Sequence, residues 1–395
     1  MSILIVDEPY SMKERLIHDL STAYDYEPWR VRIFDMQRAS VQLPLPPIEL
    51  VPEDLREKFQ HATIIMQGNG FTFTSSETSS INSDWGGLVT PYQTTVGPAS
   101  QNYPLQLSYF EHPVLSFDML RLLDIMGRSS IHYFPFKDKD TGKALHKYLV
   151  VNPYENCSYR CRACSRLPFF QFAPQSYEAN IQATIQDVLS QVETPNEVKF
   201  INIITGSQPD AKSDLAMFTK IIHAFRTAGF TEAEFGVYTP NIEKEEDMQY
   251  LHDLGVVFFT VTLETTTPES RALFYGKKNA KGRMTFRQII DVMKLAETIF
   301  PYVNTNIMLG YEPIDELKSN LDILVQETEA TVNHFIPRIF LRKQLELIHA
   351  EAHTLEYYVD MCAFMERQVN AGRKNFGAFF QERFGIPQFG NRFRS

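Results

Sequence analysis

The chain has no apolar run approaching the roughly 18 to 20 residues of a membrane span. Its opening, Met-Ser-Ile-Leu-Ile-Val-Asp-Glu-Pro, has neither the basic flank nor the long apolar segment of a signal peptide, so the expected location is the cytoplasm, with no membrane partner. Positive charge is short as well. Lys and Arg number 38 against 48 Asp and Glu, leaving a net charge of -10, and broad nucleic-acid binding, which needs clustered cations against phosphate, is not expected. The one basic stretch, Arg367, Arg373, Lys374, Arg383, Arg392 and Arg394 against Glu366 and Glu382, reads as a solvated tail. A glycine-rich phosphate loop is lacking, since Gly68-Asn-Gly70 is too short for the dinucleotide fingerprint and reads as a turn. Cysteine is scarce, four in 395 residues, which makes the placing of three of them informative.

Cys157, Cys161 and Cys164 stand in the run Asn-Cys-Ser-Tyr-Arg-Cys-Arg-Ala-Cys-Ser, spaced C-x3-C-x2-C. Three thiols on one short loop can surround one metal centre, one ligand fewer than a closed tetrahedral site needs. Structural zinc, a disulfide and unliganded thiols are the alternatives, but zinc modules pair two C-x2-C knuckles or add closely spaced histidines, and His146 is the only histidine nearby. A [4Fe-4S] cube bound by three cysteines keeps one iron free of protein. Cys362 has no cysteine near it and lies in an apolar helical stretch, as a buried thiol would.

The chain divides near residue 140, at the polar segment from Lys137 to Lys143, into an N-terminal unit (1–140), a central unit (141–345) and a C-terminal helical extension (346–395). In the first, Ser2 to Val6, Arg30 to Phe34 and Ala62 to Met66 read as strands, with helices at Met12 to Ala23 and Pro52 to Gln60. That alternation suggests a small parallel α/β, Rossmann-like domain. Long loops are expected from Gly68 to Asn102, then a helix at Phe117 to Met126 and a strand at Ile131 to Phe136. Past residue 144 six βα units follow, their strands at Leu145 to Asn152, Val198 to Ile204, Phe235 to Tyr238, Val256 to Leu263, Val303 to Leu309 and His334 to Phe340. The fold class is α/β, a partial or full parallel (β/α) barrel whose chemistry gathers where strands end.

The cysteine run, with the motifs at the ends of successive strands over roughly residues 144 to 345, resembles the radical S-adenosylmethionine (SAM) superfamily. Gly206-Ser207-Gln208-Pro209 is similar to that family's Gly-Gly-Glu-Pro segment at the SAM amino group, with Ser for the second Gly and Gln for Glu. Glu264 sits where many members place an acid toward the SAM ribose or amino acid, and Arg271 or Arg283 could hold the SAM carboxylate. Thr305-Asn306-Ile-Met308-Leu-Gly310 resembles the strand that runs alongside adenine. Ala163 stands where members commonly carry an aromatic residue, and Tyr159 could supply cover in its place.

The resemblance implies a [4Fe-4S] cluster and S-adenosyl-L-methionine as cofactors, reductive cleavage of SAM, and a 5'-deoxyadenosyl radical acting on a small-molecule substrate in cofactor or natural-product biosynthesis. A reducing partner such as flavodoxin or ferredoxin is implied with it. Only Cys362 remains beyond the three, so auxiliary clusters are not supported. Two alternatives stay open: a methyltransferase whose N-terminal domain binds cobalamin, although no Asp-x-His-x-x-Gly run occurs, and a non-catalytic Fe-S scaffold protein. His349 and His353, beside Glu351, stand i, i+4 and could hold a metal on a helix, but read as a solvated face.

Overall fold

The computed structural model describes residues 7–38, 40–43, 45–53, 56, 62–67, 70–75, 92–96, 104–109, 112–120, 136–137, 144–145, 148–153, 157–164, 177–190, 192, 194–276, 282–337, 342–373 and 382–383. At its centre six strands, β9 (Tyr148–Val151), β10 (Phe200–Ile203), β11 (Glu234–Thr239), β12 (Val256–Glu264), β13 (Tyr302–Met308) and β14 (Thr331–Phe335), form one sheet in unbroken chain order. Every pairing in it is parallel. Parallel neighbours need crossovers, supplied here by helices α3 (Tyr177–Leu189), α4 (Ala211–Thr227), α5 (Glu245–Asp253), α6 (Pro268–Tyr275), α7 (Phe286–Glu297) and α8 (Ile314–Glu327). The result is a half-barrel with helices, a partial (β/α) barrel.

The sequence forces this arrangement locally. β12, Val-Val-Phe-Phe-Thr-Val-Thr-Leu-Glu, is β-branched and aromatic along its length and buried up to its last residue, as a strand covered on both faces must be. Helix starts carry their own stops: the Asp210 carboxylate accepts the Ser213 N–H ahead of α4, and Thr285 with Gln288 forms a capping box at α7. Phe218, Ile221 and Phe225 of α4 lie in one core with Ile201, Val237 and Phe259 of the sheet.

Four expectations from sequence change here. The strand expected at His334 to Phe340 is Thr331–Phe335, starting earlier. Arg30 to Phe34, read as a strand, lies in helix α2 (Pro28–Arg38). Its most buried residues are Val31, Asp35 and Arg38, a helical spacing that apolar periodicity missed because two of the three are charged. Asp35 meets Lys13 of α1 (Asp7–Tyr24) at 3.0 Å, with both side chains almost wholly buried. Strands also occur where long loops were expected, at β3 (Gly70–Ser75) and β4 (Tyr92–Val96).

The fourth change concerns direction: the described pairings ahead of β9 are antiparallel, not parallel. β1 (Ser40–Leu43), β2 (Ala62–Gln67) and β3 form one sheet, and β4, β5 (Pro104–Tyr109) and β6 (His112–Asp118) another. A third pair joins β7 (Phe136–Lys137) and β8 (Ala144–Leu145). Gln67 pairs with Gly70, and so short a connection permits only a hairpin. β6 also takes Phe117 and Asp118 from the expected helix. The strand expected at 2–6, most of the helix at 52–60 and residues 131–135 lie outside the described residues.

Residues 7–38 reach across the chain. Helix α9 (Leu355–Phe364), which follows the barrel, packs against α1 and α2. The Arg38 guanidinium donates to His353 O at 2.9 Å and lies 5.5 Å from the Tyr358 ring centroid. Among the described residues no helix is long and apolar enough to cross a membrane.

Candidate functional site

The cysteine loop leaves the C-terminal end of β9, and its backbone together with the Tyr159 side chain is tied to the segments that follow four other strands. Ser158 N–H donates to Ser207 O (3.0 Å) beyond β10, and Ala163 N–H to Phe274 O (3.1 Å) in the helix after β12. Gln344, beyond β14, donates its amide to Cys164 O at 3.1 Å. The Tyr159 hydroxyl reaches Pro209 O at 3.2 Å and forms a short bond to Asn241 Oδ1, beyond β11. Within the loop Cys164 N–H turns back to Cys161 O (3.1 Å), and Arg160 takes a left-handed φ of 47°, a conformation uncommon outside glycine.

Cys161 is buried, Cys157 and Cys164 are half-buried, and none is in a disulfide. Among the described residues no three His, Cys, Asp or Glu side chains are gathered about a single metal ion. A [4Fe-4S] cube takes one thiolate at each of three different irons, so a donor set of three thiols on one anchored loop suits it without such gathering. Arg160 and Arg162 flank Cys161 in the same loop, and cationic neighbours favour the thiolate form that ligation needs.

Gly206 and Ser207 are buried, Gln208 is half-buried and Pro209 exposed. The turn they form is held by a residue that sequence reasoning passed over. Asp214 is wholly buried and accepts from Gln208 N–H (2.7 Å), the Thr239 hydroxyl (2.7 Å) and the Asn241 amide (2.9 Å). The Asn241 amide also donates to Gln208 O at 2.8 Å. In sequence Asp214 is one more acid in a helix's first turn; its burial could be learned only from the fold. The Gln208 side-chain amide points a donor at Met217 Sδ, 3.6 Å away. Burial raises the Tyr159 phenol pKa, while the Asn241 hydrogen bond opposes the rise.

Glu264 ends β12 in a left-handed conformation, φ 65°, where the register with β13 shifts between Thr262 and Glu264. Backbone in that region is strained for a residue with a side chain and concentrates at working sites. Burial raises the pKa of Tyr311, and the charges of Glu264 and Cys164 raise it further. Arg271 is buried beside the same strand end, donating through Nη1 to Leu263 O (2.8 Å) and Thr265 O (2.9 Å). Its Nε and Nη2 have no partner among the described residues. Arg283 is instead an exposed residue paired with Glu243, so only Arg271 is placed at the rim.

Asn306 is buried on β13, where its Oδ1 accepts from Asn333 at 3.5 Å, and Met308 is half-buried at the strand's end. Gly310 follows at φ 91°, and a Cβ there would lie 2.5 Å from the Tyr358 hydroxyl. Its N–H donates to Tyr357 Oη (3.2 Å) and its carbonyl accepts from His349 N–H (2.8 Å). Glu312, a second unforeseen residue, is buried and accepts from the N–H groups of Thr266 and Thr267 at 2.6 and 2.7 Å. It thereby places a carboxylate at the N-terminus of α6. Ala163 is buried, and its N–H bonds the carbonyl of Phe274, whose ring packs edge-on against Tyr311 at 4.9 Å.

The histidine pair does not form a helical metal face. His349 has extended backbone (φ −63°, ψ 147°) ahead of a short turn at Ala350–His353, so i, i+4 spacing on one helix face is not realised. Glu351 instead accepts the Ile314 N–H at 2.9 Å. Cys362 is buried as expected, and desolvation pushes its thiol pKa well up.

The family model described as "Radical SAM superfamily" matches residues 151–324. No curated protein matches the chain. Among solved structures, coproporphyrinogen III oxidase (HemN) from Escherichia coli aligns at 15% identity and a TM-score of 0.37, covering 47% of this chain and 46% of that one. The FeFe-hydrogenase maturase HydG from Carboxydothermus hydrogenoformans aligns at 13% identity and a TM-score of 0.40, covering 55% and 51%. The radical S-adenosylmethionine methyltransferase TsrM from Kitasatospora setae aligns at 16% identity and a TM-score of 0.37, covering 48% and 36%. The chain therefore spans about half the length of these structures or less.

Proposed function

We propose, from the match of residues 151–324 to the radical SAM superfamily model, that the protein is an enzyme that reductively cleaves S-adenosylmethionine at a [4Fe-4S] cluster, forming a 5'-deoxyadenosyl radical that acts on a small molecule in cofactor or natural-product biosynthesis. The observation that carries this reading is the convergence on the cysteine loop of backbone and side-chain bonds from the segments that follow β10, β11, β12 and β14.

Cys157, Cys161 and Cys164 would hold the cluster, and their loop is already fixed by Ser207, Asn241, Phe274 and Gln344. Holding the loop before ligation lowers the ordering cost of binding. Arg271, with two buried donors unused, suits the SAM carboxylate, since a guanidinium forks onto a carboxylate. Glu264 offers an acceptor to the ribose or ammonium group. Gly206, Ser207, Gln208 and Pro209 border the amino-acid end, with Asp214 keeping their turn in place. Asn306, Met308 and Ala163 line the adenine side. Ser158, Arg160 and Arg162 are exposed, which leaves the loop open to a reducing partner such as flavodoxin or ferredoxin.

A cobalamin-binding N-terminal domain stays the open alternative, without the support of a parallel α/β pattern, since the described pairings ahead of β9 are antiparallel. The division at residues 140 and 345 is kept as part of the proposal. Its test is anaerobic reconstitution with iron and sulfide, followed by dithionite and SAM. Formation of 5'-deoxyadenosine supports the reading; a protein that holds the cluster and binds SAM without cleaving it supports the scaffold.

A further inference from the structure

The six-stranded sheet has two unlike faces. Alternation sends Leu149, Ile201, Val237 and Val261 into the core shared with the helices. The opposite, inner face begins with an aromatic floor, where Tyr148 stacks on Phe200 at 5.6 Å and Phe258 on Tyr302 at 4.6 Å. Above the floor it turns polar without turning charged. Register sets Tyr238 beside Thr260, Thr260 beside Asn304 and Thr262 beside Asn306. Among the described residues the inner face above the floor carries no Lys or Arg, and Glu264 at the rim is its one acid.

Several amide atoms on this face are buried and unused, although Asn304 Oδ1 accepts the Thr260 hydroxyl, the Asn304 side chain faces the Tyr238 phenol, and Asn202 stands against the Tyr148 phenol. Both Oδ1 and Nδ2 of Asn152, Oδ1 of Asn202 and Nδ2 of Asn304 have no partner among the described residues, on side chains 2%, 2% and 0% exposed. Buried polar atoms in folded proteins are nearly always paired, and a cluster of exceptions calls for a missing partner. Asn152 stands at the mouth, directly after β9 and ahead of the cysteine loop; the Ile204 N–H still bonds Val151 O there at 2.9 Å, so the extended alternation reaches it. An asparagine with donor and acceptor both unused matches a group that presents an acceptor and a donor side by side, as asparagine does to an adenine edge. Among the described residues the one cation at this rim is Arg271, from α6, which is given to the SAM carboxylate, so a second phosphate or carboxylate deeper on the face would lack a counter-charge and be costly to desolvate.

We propose that the inner face seats the substrate and takes a neutral molecule with an amide edge, a lactam, carboxamide or nucleobase, held at two points by Asn152 and further by Asn304. This rests on the radical SAM reading for its role but not for its test. The full chain, reconstituted anaerobically and saturated with unreduced SAM, is titrated with uracil and 2-pyridone by saturation-transfer NMR, beside benzoate and phenyl phosphate. Uracil and 2-pyridone are expected to bind at least tenfold more tightly than the two anions, and Asn152→Asp, of the same shape, to weaken uracil at least tenfold. Should Asn152→Asp not fold, Asn304→Asp makes the same comparison.

Anions binding as well as uracil, no binding by any probe, or uracil binding unchanged in the variant would each overturn the proposal. 5'-Deoxyadenosine is assayed on the same preparations. SAM cleavage with a preference for anions sinks this inference alone, and uracil binding without cleavage sinks the radical reading alone.

Discussion

The Gln208 backbone N–H donates to Asp214 Oδ1 at 2.7 Å, and the other oxygen of that buried carboxylate takes the Thr239 hydroxyl and the Asn241 amide. One acid thus joins the turn after β10 to the end of β11, and through Asn241 and Tyr159 to the cysteine loop. Replacing it by Ala leaves three donors without an acceptor in a dry place, each costing about 1–3 kcal/mol. We expect Asp214→Ala to lose at least about 2 kcal/mol of stability by chemical denaturation, and to weaken SAM binding in the fraction that folds. Unchanged stability would mean that Asp214 holds nothing.

Gly310 should tolerate no side chain. Its φ is 91°, and a Cβ would meet the Tyr358 hydroxyl at 2.5 Å. Gly310→Ala is expected to cost about 1–3 kcal/mol, read as a drop in melting temperature. Adding Tyr358→Phe removes the hydroxyl but not the backbone strain, so the double variant should recover part of the loss. Full recovery would assign the whole cost to the clash.

The pair Lys13–Asp35 joins α1 to α2 at 3.0 Å, with both side chains almost wholly buried. Removing one member takes the opposite charge from beside a buried one, so Lys13→Met should destabilise the protein by about 3–5 kcal/mol. Lys13→Met with Asp35→Leu should restore most of that, because an apolar pair of similar volume needs no desolvation. Equal effects of the single and double variants would show that the two residues are not coupled.

The legible part of the chain was the part with one period and one burial rule. β12 and α8 were read from sequence to within a residue at each end, because buried parallel strands are continuous apolar runs and α8 has a clean helical stripe. That Cys157, Cys161 and Cys164 share one short loop was legible from spacing alone. What failed was polar burial: Asp35 and Arg38 disguised α2 as something else, and Asp214 and Glu312 looked like surface acids. Helix α6 was passed over as a connection, being short and starting at Pro268. Strand direction in 40–118 was not legible, since the alternation that marks a strand does not say which way its neighbour runs.

The Asp210 carboxylate caps α4 by accepting the Ser213 N–H at 2.8 Å, and that bond holds its pKa below the ordinary 3.8. A depressed acid contributes stability that is present above its unfolded pKa and lost as pH falls through the folded one. Apo protein followed by circular dichroism from pH 7 to pH 3 should show Asp210→Asn, which keeps an oxygen acceptor, losing less stability on acidification than the parent. Parallel losses would remove Asp210 from the acid response.

The central claim is that three cysteines on one anchored loop hold the cluster at which SAM is cleaved. Its most direct measurement is 5'-deoxyadenosine formed per reconstituted protein under dithionite, with iron content determined on the same samples, for the parent, for Ala at each of Cys157, Cys161 and Cys164, and for Cys362→Ala. We expect the parent and Cys362→Ala to carry about four irons per chain and to form 5'-deoxyadenosine, and each of the other three variants to lose the product. Product persisting after loss of any one of the three cysteines, or vanishing with Cys362 alone while the protein stays folded, would contradict the account.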